Sequence, residues 1–364
     1  MQGTGPHIDH IVDAILEAAT SSGTEVRKLQ ETGRASFIVS VPKKWVQDLS
    51  LRKGSLIRVS TQQDGSLLLA AGQGTAKQKP SEASIQVESD QDPQSLARKL
   101  IALYLIGLNG VVLKSKDSRM SPVIRDKVRD LVRTKLVGTE IVSESSSEMV
   151  LQVLLSYPEL SAESALRRMV TIADQMHRDS ITALCEGRHD LAAQVLKSDD
   201  EVDRFGFYIV RLLKQAVEHP QLMREIGLSS PRDCLGYRLI AKSVERIADH
   251  SSLIAEHAAQ LQEALTPRLA VRVKELSEFS SLLFQEASQA LFRKDYSMAD
   301  RVLARQDQAE KLEAEIEKQI YKQNLSPEGI SGLRLILESL RRIGEYATDI
   351  AEIVLNLTVG NLNA

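Results

Sequence analysis

The sequence predicts an α+β protein of several domains, in which a strand-rich head, a small α/β layer and a helical repeat follow one another along 364 residues. Three observations predict this class. Residues 25–71 contain short runs that alternate apolar and polar side chains, residues 84–157 alternate strand and helix patterns, and residues 158–364 are helical almost throughout. Aromatic residues make up only 4 % of the chain, which favours an aliphatic core of the kind found in helix bundles.

The head is predicted to be a compact unit of short strands. Residues 36–41 alternate with period two, and Pro42 then opens a short helix without losing a hydrogen bond. Two further strands are expected at 56–59 and 67–70, on either side of the hairpin signal Asp64-Gly65. A unit of about 45 residues buries little core by itself, so we expect the head to dimerise.

The segments around the head differ in composition. Residues 1–24 form an extension to which we assign no function, and residues 72–83 are rich in Gly, Lys, Gln and Pro, as linkers are. The α/β layer follows at 84–157, and it shows no phosphate-binding loop or catalytic constellation. Its predicted elements are a strand at 84–89, a helix at 92–106, a strand at 110–114, a helix at 121–135, and strands at 140–144 and 149–155.

The remaining residues contain two tandem copies of a three-helix unit, at 158–262 and 263–364. Val195-Leu196 in the first copy matches Val302-Leu303 in the second, and Ser230-Pro231 matches Ser326-Pro327. Each Ser-Pro pair is a helix N-cap followed by the favoured first-turn proline. We therefore predict six helices in two sets of three, with breaks near Gly187, Pro220 and Pro267.

Acidic residues recur at helical spacing in the first copy. Asp199 and Asp203 are four residues apart, as are Glu245 and Asp249, so each pair shares one helix face. If the two helices are neighbours, they bring four carboxylates together, and such a cluster suits Fe, Mn, Mg or Ca. Acidic pairs on helices are more commonly solvated, so both interpretations stay open.

The second copy departs from this pattern. Gln306 and Glu310 align with the first pair of the first copy, and Arg341 and Glu345 align with the second. Arg341 puts positive charge where a metal ligand would stand, and it could pair with Glu345 or Glu338 instead. We therefore predict metal chemistry in the first copy and a scaffold in the second.

The run RKLQETGRASFIVSVPKKWVQDLSLRKGSLIRVSTQQDGSLLL resembles the AbrB/SpoVT family of DNA-binding domains over the whole head. The resemblance implies an intertwined homodimer whose paired hairpins form a swapped-hairpin β-barrel. Residues 25–59 contain eight basic and three acidic residues, a net +5 that leaves −8 on the rest of the chain, and such a head suits a polyanion. A head that serves only as a dimerisation clamp is the alternative. The DNA-binding residues implied by the resemblance are Arg27, Lys28, Arg34, Lys43 and Lys44.

The run ERIADHSSLIAEHA and the (D/E)xxxD spacings resemble the PhoU domain, over residues 161–357. The resemblance implies tandem three-helix bundles that bind multinuclear iron or zinc clusters. Together with the head and the α/β layer, the chain resembles an archaeal-type PhoU-related regulator of phosphate uptake. The metal-binding residues that this implies are Asp199, Asp203, Glu245 and Asp249.

These patterns lead to two hypotheses for function. The first is a phosphate-responsive DNA-binding transcriptional regulator with a metal-binding helical sensor. The alternative is an adaptor that docks on a phosphate transporter or a signalling kinase and uses the head only to dimerise. A metal-dependent enzyme is disfavoured because no positioned base accompanies the carboxylates. Two cysteines without a paired motif, no signal peptide pattern and no long apolar run predict a cytoplasmic protein.

Overall fold

The structure is a computed structural model, and it describes residues 25–33, 36–61, 65–71, 82–88, 90–155, 160–261, 265–322 and 325–360. The chain divides into two compact units, residues 1–79 and residues 80–364. Within the described ranges, none of the helices combines the length and the apolar character needed to cross a membrane. The predicted extension at 1–24, Arg34 and nearly all of the predicted linker lie outside the described residues.

The head contains two separate two-stranded antiparallel sheets. Strand β1 pairs with β2, and β3 pairs with β4, so the described residues of one chain do not show the closed barrel that the resemblance implied. Strand β1 was not predicted, and β2 covers only half of the expected run at 36–41. The elements are β1 (Gln30–Thr32), β2 (Ser36–Ile38), α1 (Lys43–Asp48), β3 (Ile57–Thr61) and β4 (Leu67–Ala71).

The α/β layer has the predicted order of elements. Its sheet runs β5-β6-β8-β7, with β5 and β6 parallel and the other neighbours antiparallel. Strand β5 begins two residues before the predicted start of the layer, inside the predicted linker. The elements are β5 (Glu82–Val87), α2 (Pro93–Leu105), β6 (Gly110–Ser115), α3 (Pro122–Lys135), β7 (Thr139–Glu144) and β8 (Glu148–Val153).

The core of this layer lies between one face of the sheet and the two helices. Leu113 and Met149 are fully buried on the central strands, and they belong to the same apolar cluster as Leu100 of α2 and Val128 of α3. Helix α2 begins where Asp92 accepts hydrogen bonds from two backbone N–H groups of its first turn. The apolar side chains that alternate along the strands therefore pack against those that recur at the helical period in α2 and α3, and together they form one core.

The helical repeat is present, with one added helix and one broken helix. The short helix α6 follows the predicted break at Pro220, and the middle helix of the second copy is interrupted at Ala304-Arg305. The described residues from 160 to 360 thus form eight helices rather than six. They are α4 (Ala162–Glu186), α5 (His189–Glu218), α6 (Pro220–Glu225), α7 (Pro231–Gln260), α8 (Pro267–Arg293), α9 (Tyr296–Leu303), α10 (Gln306–Ile320) and α11 (Pro327–Thr358).

The predicted helix ends are confirmed by their caps. Helix α4 ends before Gly187, whose φ of 65° is the left-handed conformation that glycine adopts at low cost. Helix α7 begins with a capping box between Ser230 and Asp233, and Ser326 caps α11 in the equivalent place. Helices α4, α5 and α7 form the first bundle, α8 to α11 form the second, and one apolar core runs through both.

Arg211 of α5 joins the first bundle to the α/β layer. Its side chain is completely buried, and Nη1 donates to the carbonyl oxygens of Tyr104 at 2.6 Å and Leu108 at 2.9 Å. Nη2 donates to Asn109 Oδ1 at 2.7 Å. These acceptors lie at the C-terminal end of α2, where a helix carries partial negative charge, so carbonyl dipoles neutralise the guanidinium.

His177 of α4 joins the two copies of the repeat. The imidazole is buried, and Nε2 lies 2.8 Å from Ser277 Oγ and 3.2 Å from the Ser277 carbonyl oxygen, on α8. Burial lowers the pKa of His177, while the Ser277 hydrogen bond and the nearby Asp174 act in the opposite direction and Arg178 adds to the lowering. The folded protein therefore holds this imidazole neutral.

We expect His177 to make the protein sensitive to acid. Below pH about 6.5 the unfolded chain takes up a proton at this histidine while the folded chain does not, so stability falls as pH decreases, by at most about 1.4 kcal/mol per pH unit. Urea unfolding of wild type and His177→Gln between pH 7.5 and 5 measures this. The variant should lose part of the pH dependence, and His189→Gln, at an exposed position of α5, should retain it. Equal slopes for wild type and His177→Gln would contradict the assignment.

Candidate functional site

The four predicted carboxylates lie together on neighbouring helices of the first bundle. Helix α5 carries Asp199 and Asp203, and helix α7, which packs against it, carries Glu245 and Asp249. Burial, followed by the charges of Asp199, Glu245 and Asp203, raises the pKa of Asp249 to about 6. Asp249 keeps an exposed outer side, so solvent screens part of this repulsion. The four carboxylates thus lie on neighbouring helices, near enough for the charges of the other three to act on Asp249; we call them the first cluster.

A lysine that the sequence did not single out lies in this cluster. Lys135, the last residue of α3, places Nζ 2.7 Å from Asp203 Oδ2 and 2.5 Å from Asp200 Oδ1. Burial by itself would lower the pKa of Lys135, but the hydrogen bonds to the two aspartates outweigh it and raise the pKa. The ammonium is therefore charged, and only 21 % of the side chain is exposed.

Two of the remaining acidic side chains, Glu245 and Asp199, have other partners. Lys242 Nζ lies 2.6 Å from Glu245 Oε1, and Ser252 Oγ donates to Asp199 Oδ1 at 3.4 Å. Burial and the charge of Asp203 raise the pKa of Asp199. In the part of the chain that the structure describes, no three His, Cys, Asp or Glu side chains gather closely enough to hold a metal ion. The iron or zinc cluster implied by the resemblance stays a prediction, and this arrangement does not fit it.

The second copy balances its acidic residues within the bundle. Arg341 Nε lies 2.9 Å from Glu313 Oε2, and Arg341 also pairs with Glu345, which confirms one of the two pairings predicted for it. Arg342 Nη1 lies 2.6 Å from Glu345 Oε2. Two arginines thus surround the half-buried Glu345 carboxylate and neutralise its charge.

The predicted DNA-binding residues lie on two elements of the head. Lys43 and Lys44 open α1 and are exposed, as is Lys28 before β1. Arg27 forms an ion pair with Glu25, and the carboxylate offsets part of the positive charge of the guanidinium. Arg34 lies outside the described residues. The described lysines thus offer a positive surface of modest size.

Sequence reasoning missed Lys135 and Arg211. The helix dipole favours a basic residue in the last turn of any helix, so the sequence alone does not show that Lys135 contacts the acidic residues of another helix. Arg211 lies within a strongly apolar helix face, and its acceptors are backbone carbonyl groups, which are the same for every sequence.

The PhoU domain matches residues 166–258 and 273–354, one match in each copy of the repeat. The "phosphate-specific transport system accessory protein PhoU homolog" of Pseudomonas aeruginosa is 29 % identical over 207 residues, which cover 54 % of this chain and 82 % of the relative. PhoU homolog 1 of Thermotoga maritima is 24 % identical over 204 residues, which cover 54 % of this chain and 86 % of the relative.

Solved PhoU structures align with the same share of the chain. PhoU from Pseudomonas aeruginosa aligns at a TM-score of 0.46 and 23 % identity, over 55 % of this chain and 96 % of the other. The phosphate transport system regulatory protein PhoU from Streptococcus pneumoniae aligns at a TM-score of 0.47 and 17 % identity, over 55 % of this chain and 94 % of the other. The family matches at 166–258 and 273–354 fall one in each copy of the repeat, so each copy is similar to a PhoU domain.

Proposed function

We propose that this chain is a non-enzymatic accessory protein of phosphate transport that acts by binding other proteins. The paired PhoU-domain match is the observation that carries the proposal, because the similar proteins are named for that role in phosphate-specific transport systems. The partner would be a phosphate transporter or a signalling kinase that reports on phosphate supply. This is the adaptor hypothesis, and these names favour it over transcriptional regulation.

We propose that the head makes the adaptor a homodimer. None of the described residues of the head is buried in a single chain, although the head carries large apolar side chains. Phe37 is 65 % exposed, Leu56 80 % and Leu67 61 %. Because each large apolar side chain gains about 1.5–3 kcal/mol on burial, a second copy of the head is the expected cover. The swapped-hairpin barrel would form between two chains.

DNA binding is the second candidate function. The exposed Lys28, Lys43 and Lys44, together with the net charge of +5 over residues 25–59, support it. Two heads in a dimer would double this charge and release counterions from a duplex. The resemblance of the head to DNA-binding domains also speaks for it, whereas the PhoU relatives are named for transport.

One crosslinking experiment in the source cells separates the two functions. Tagged full-length chain is crosslinked and captured from phosphate-rich and phosphate-starved cells, and both proteins and DNA fragments are identified. The adaptor function predicts enrichment of the phosphate transporter or its kinase, unchanged when Lys43 and Lys44 are replaced by glutamine. Enrichment of DNA that this double change abolishes would favour the second candidate. Replacing the exposed Lys197 and Lys274 by glutamine is the control, because it removes the same charge outside the head.

A further inference from the structure

Each acidic cluster of the PhoU pair already contains a cation that the protein itself supplies. In the first copy this cation is the ammonium of Lys135, which reaches Asp203 at 2.7 Å and Asp200 at 2.5 Å. In the second copy it is the guanidinium of Arg341, which reaches Glu313 at 2.9 Å and pairs with Glu345. The two cations come from different parts of the chain.

The aligned positions show how the two copies differ. Arg341 stands where the first copy has Glu245, so the cation of the second copy belongs to the third helix of its own bundle. The first copy keeps the carboxylate at that position and receives its cation from α3 of the α/β layer instead. The two copies thus receive these cations from positions that do not align in the repeat.

We propose that Lys135 and Arg341 take the place of metal ions in the two acidic clusters, and that the first cluster serves to dock the α/β layer. A metal site needs three or four oxygen ligands that converge on one point. The described carboxylates do not converge in this way while the ammonium holds Asp200 and Asp203.

Charge explains why the cluster suits a lysine. Four carboxylates on neighbouring helix faces repel one another, and a cation between them relieves that repulsion. A lysine fixed at the end of α3 needs no binding from solution. Because Lys135 is largely covered and makes two short ion pairs, its contact is stronger than a solvent-exposed pair would be. The contact also adds to the packing of α3 against α5.

The affinity of the first cluster for a divalent metal ion should therefore depend on Lys135. Removing the ammonium leaves Asp200 and Asp203, beside Asp199, without this counter-charge, and a divalent cation can then replace it. We expect Lys135→Gln and Lys135→Ala to bind Mn²⁺ at least 10-fold more tightly than wild type. Arg133→Gln is the matched control, because Arg133 lies on the same turn of α3 but is 81 % exposed and pairs only with Asp130 among the described residues.

Full-length protein is dialysed against Mn²⁺, Fe²⁺ and Zn²⁺, and bound metal is measured by elemental analysis. Wild type and Arg133→Gln should carry no stoichiometric metal, both Lys135 variants should gain it, and adding Asp203→Asn to either variant should remove the gain. Stoichiometric metal in wild type that Asp203→Asn removes would overturn the proposal. Unchanged Mn²⁺ affinity in Lys135 variants that keep the wild-type circular dichroism would overturn it as well.

Discussion

Replacing Arg211 by methionine is expected to lower the free energy of unfolding by about 3 kcal/mol, because the change removes short hydrogen bonds from a cluster of buried oxygen atoms. Tyr104 and Leu108 each lose a short hydrogen bond from the guanidinium, and Asn109 loses a third at its Oδ1. Methionine ends near the position of Nε, so the space left by the guanidinium adds to the loss from the unsatisfied polar atoms. Urea unfolding of full-length protein at pH 7 measures the difference.

A lysine at the same position tests whether charge alone is sufficient. Arg211→Lys keeps the positive charge, but a single ammonium cannot reach the acceptors of both Nη1 and Nη2, so we expect an intermediate loss of about 2 kcal/mol. Lys214→Met, one turn further along α5 at an exposed position, should change stability by less than about 0.5 kcal/mol. An Arg211→Met variant as stable as Lys214→Met would show that the guanidinium does not hold the layer.

The backbone at this junction is shaped for the same contact. Gly107, which follows α2, has a φ of 92°, and a Cβ built there would lie 1.9 Å from Gln215 Nε2 on α5. The left-handed conformation favours glycine there, and a Cβ would also displace the amide group of the Gln215 side chain. The junction between the layer and the bundle thus depends on one buried cation and one position without a side chain.

The order of elements was predictable from the sequence because it is encoded locally. The Ser-Pro pairs at 230 and 326 supply a cap and a first-turn proline within two residues, and each starts its helix where predicted. Alternation on β6 and the helical period on α3 are equally local signals. The break at Ala304-Arg305 was missed because neither residue is a helix breaker.

The acidic cluster was predictable only in part, because its cation comes from a distant segment. The spacing of Asp199 to Asp203 and of Glu245 to Asp249 placed four carboxylates on facing helix surfaces. Nothing in the spacing tells which face of the bundle the α/β layer covers. Lys135 is 64 or more residues from every member of the cluster, and its place follows from packing of α3 on α5, which has no local signature.

The closed barrel was predicted by resemblance, and a single chain cannot contain it if it forms between two chains. Residues 36–41 alternate so that Phe37, Val39 and Val41 share one face of the run, while Ser36, Ile38 and Ser40 share the other. Phe37 and Val39 are 65 % and 49 % exposed in one chain. The side chains that should form the barrel core are therefore the ones left uncovered.

Phe37→Glu is accordingly expected to dissociate the homodimer. Each Phe37 contributes about 2 kcal/mol on burial, and a two-fold dimer contains two of them, so the dissociation constant should rise by roughly a thousandfold or more. Sedimentation should show wild type at twice the mass of one chain and the variant at the mass of one chain. Ser40→Glu adds the same charge to the opposite face of the strand and should leave the dimer intact.

This test isolates the head because the helical repeat belongs to the other compact unit. Phe37→Glu should leave the helical circular dichroism signal unchanged, because the described residues of the head contain only one short helix, α1. A Phe37→Glu protein that sediments as wild type would show that the head is not the dimer interface. A wild-type protein that is monomeric at micromolar concentration would exclude the swapped barrel directly, because ten large apolar side chains of the head would then stay in water.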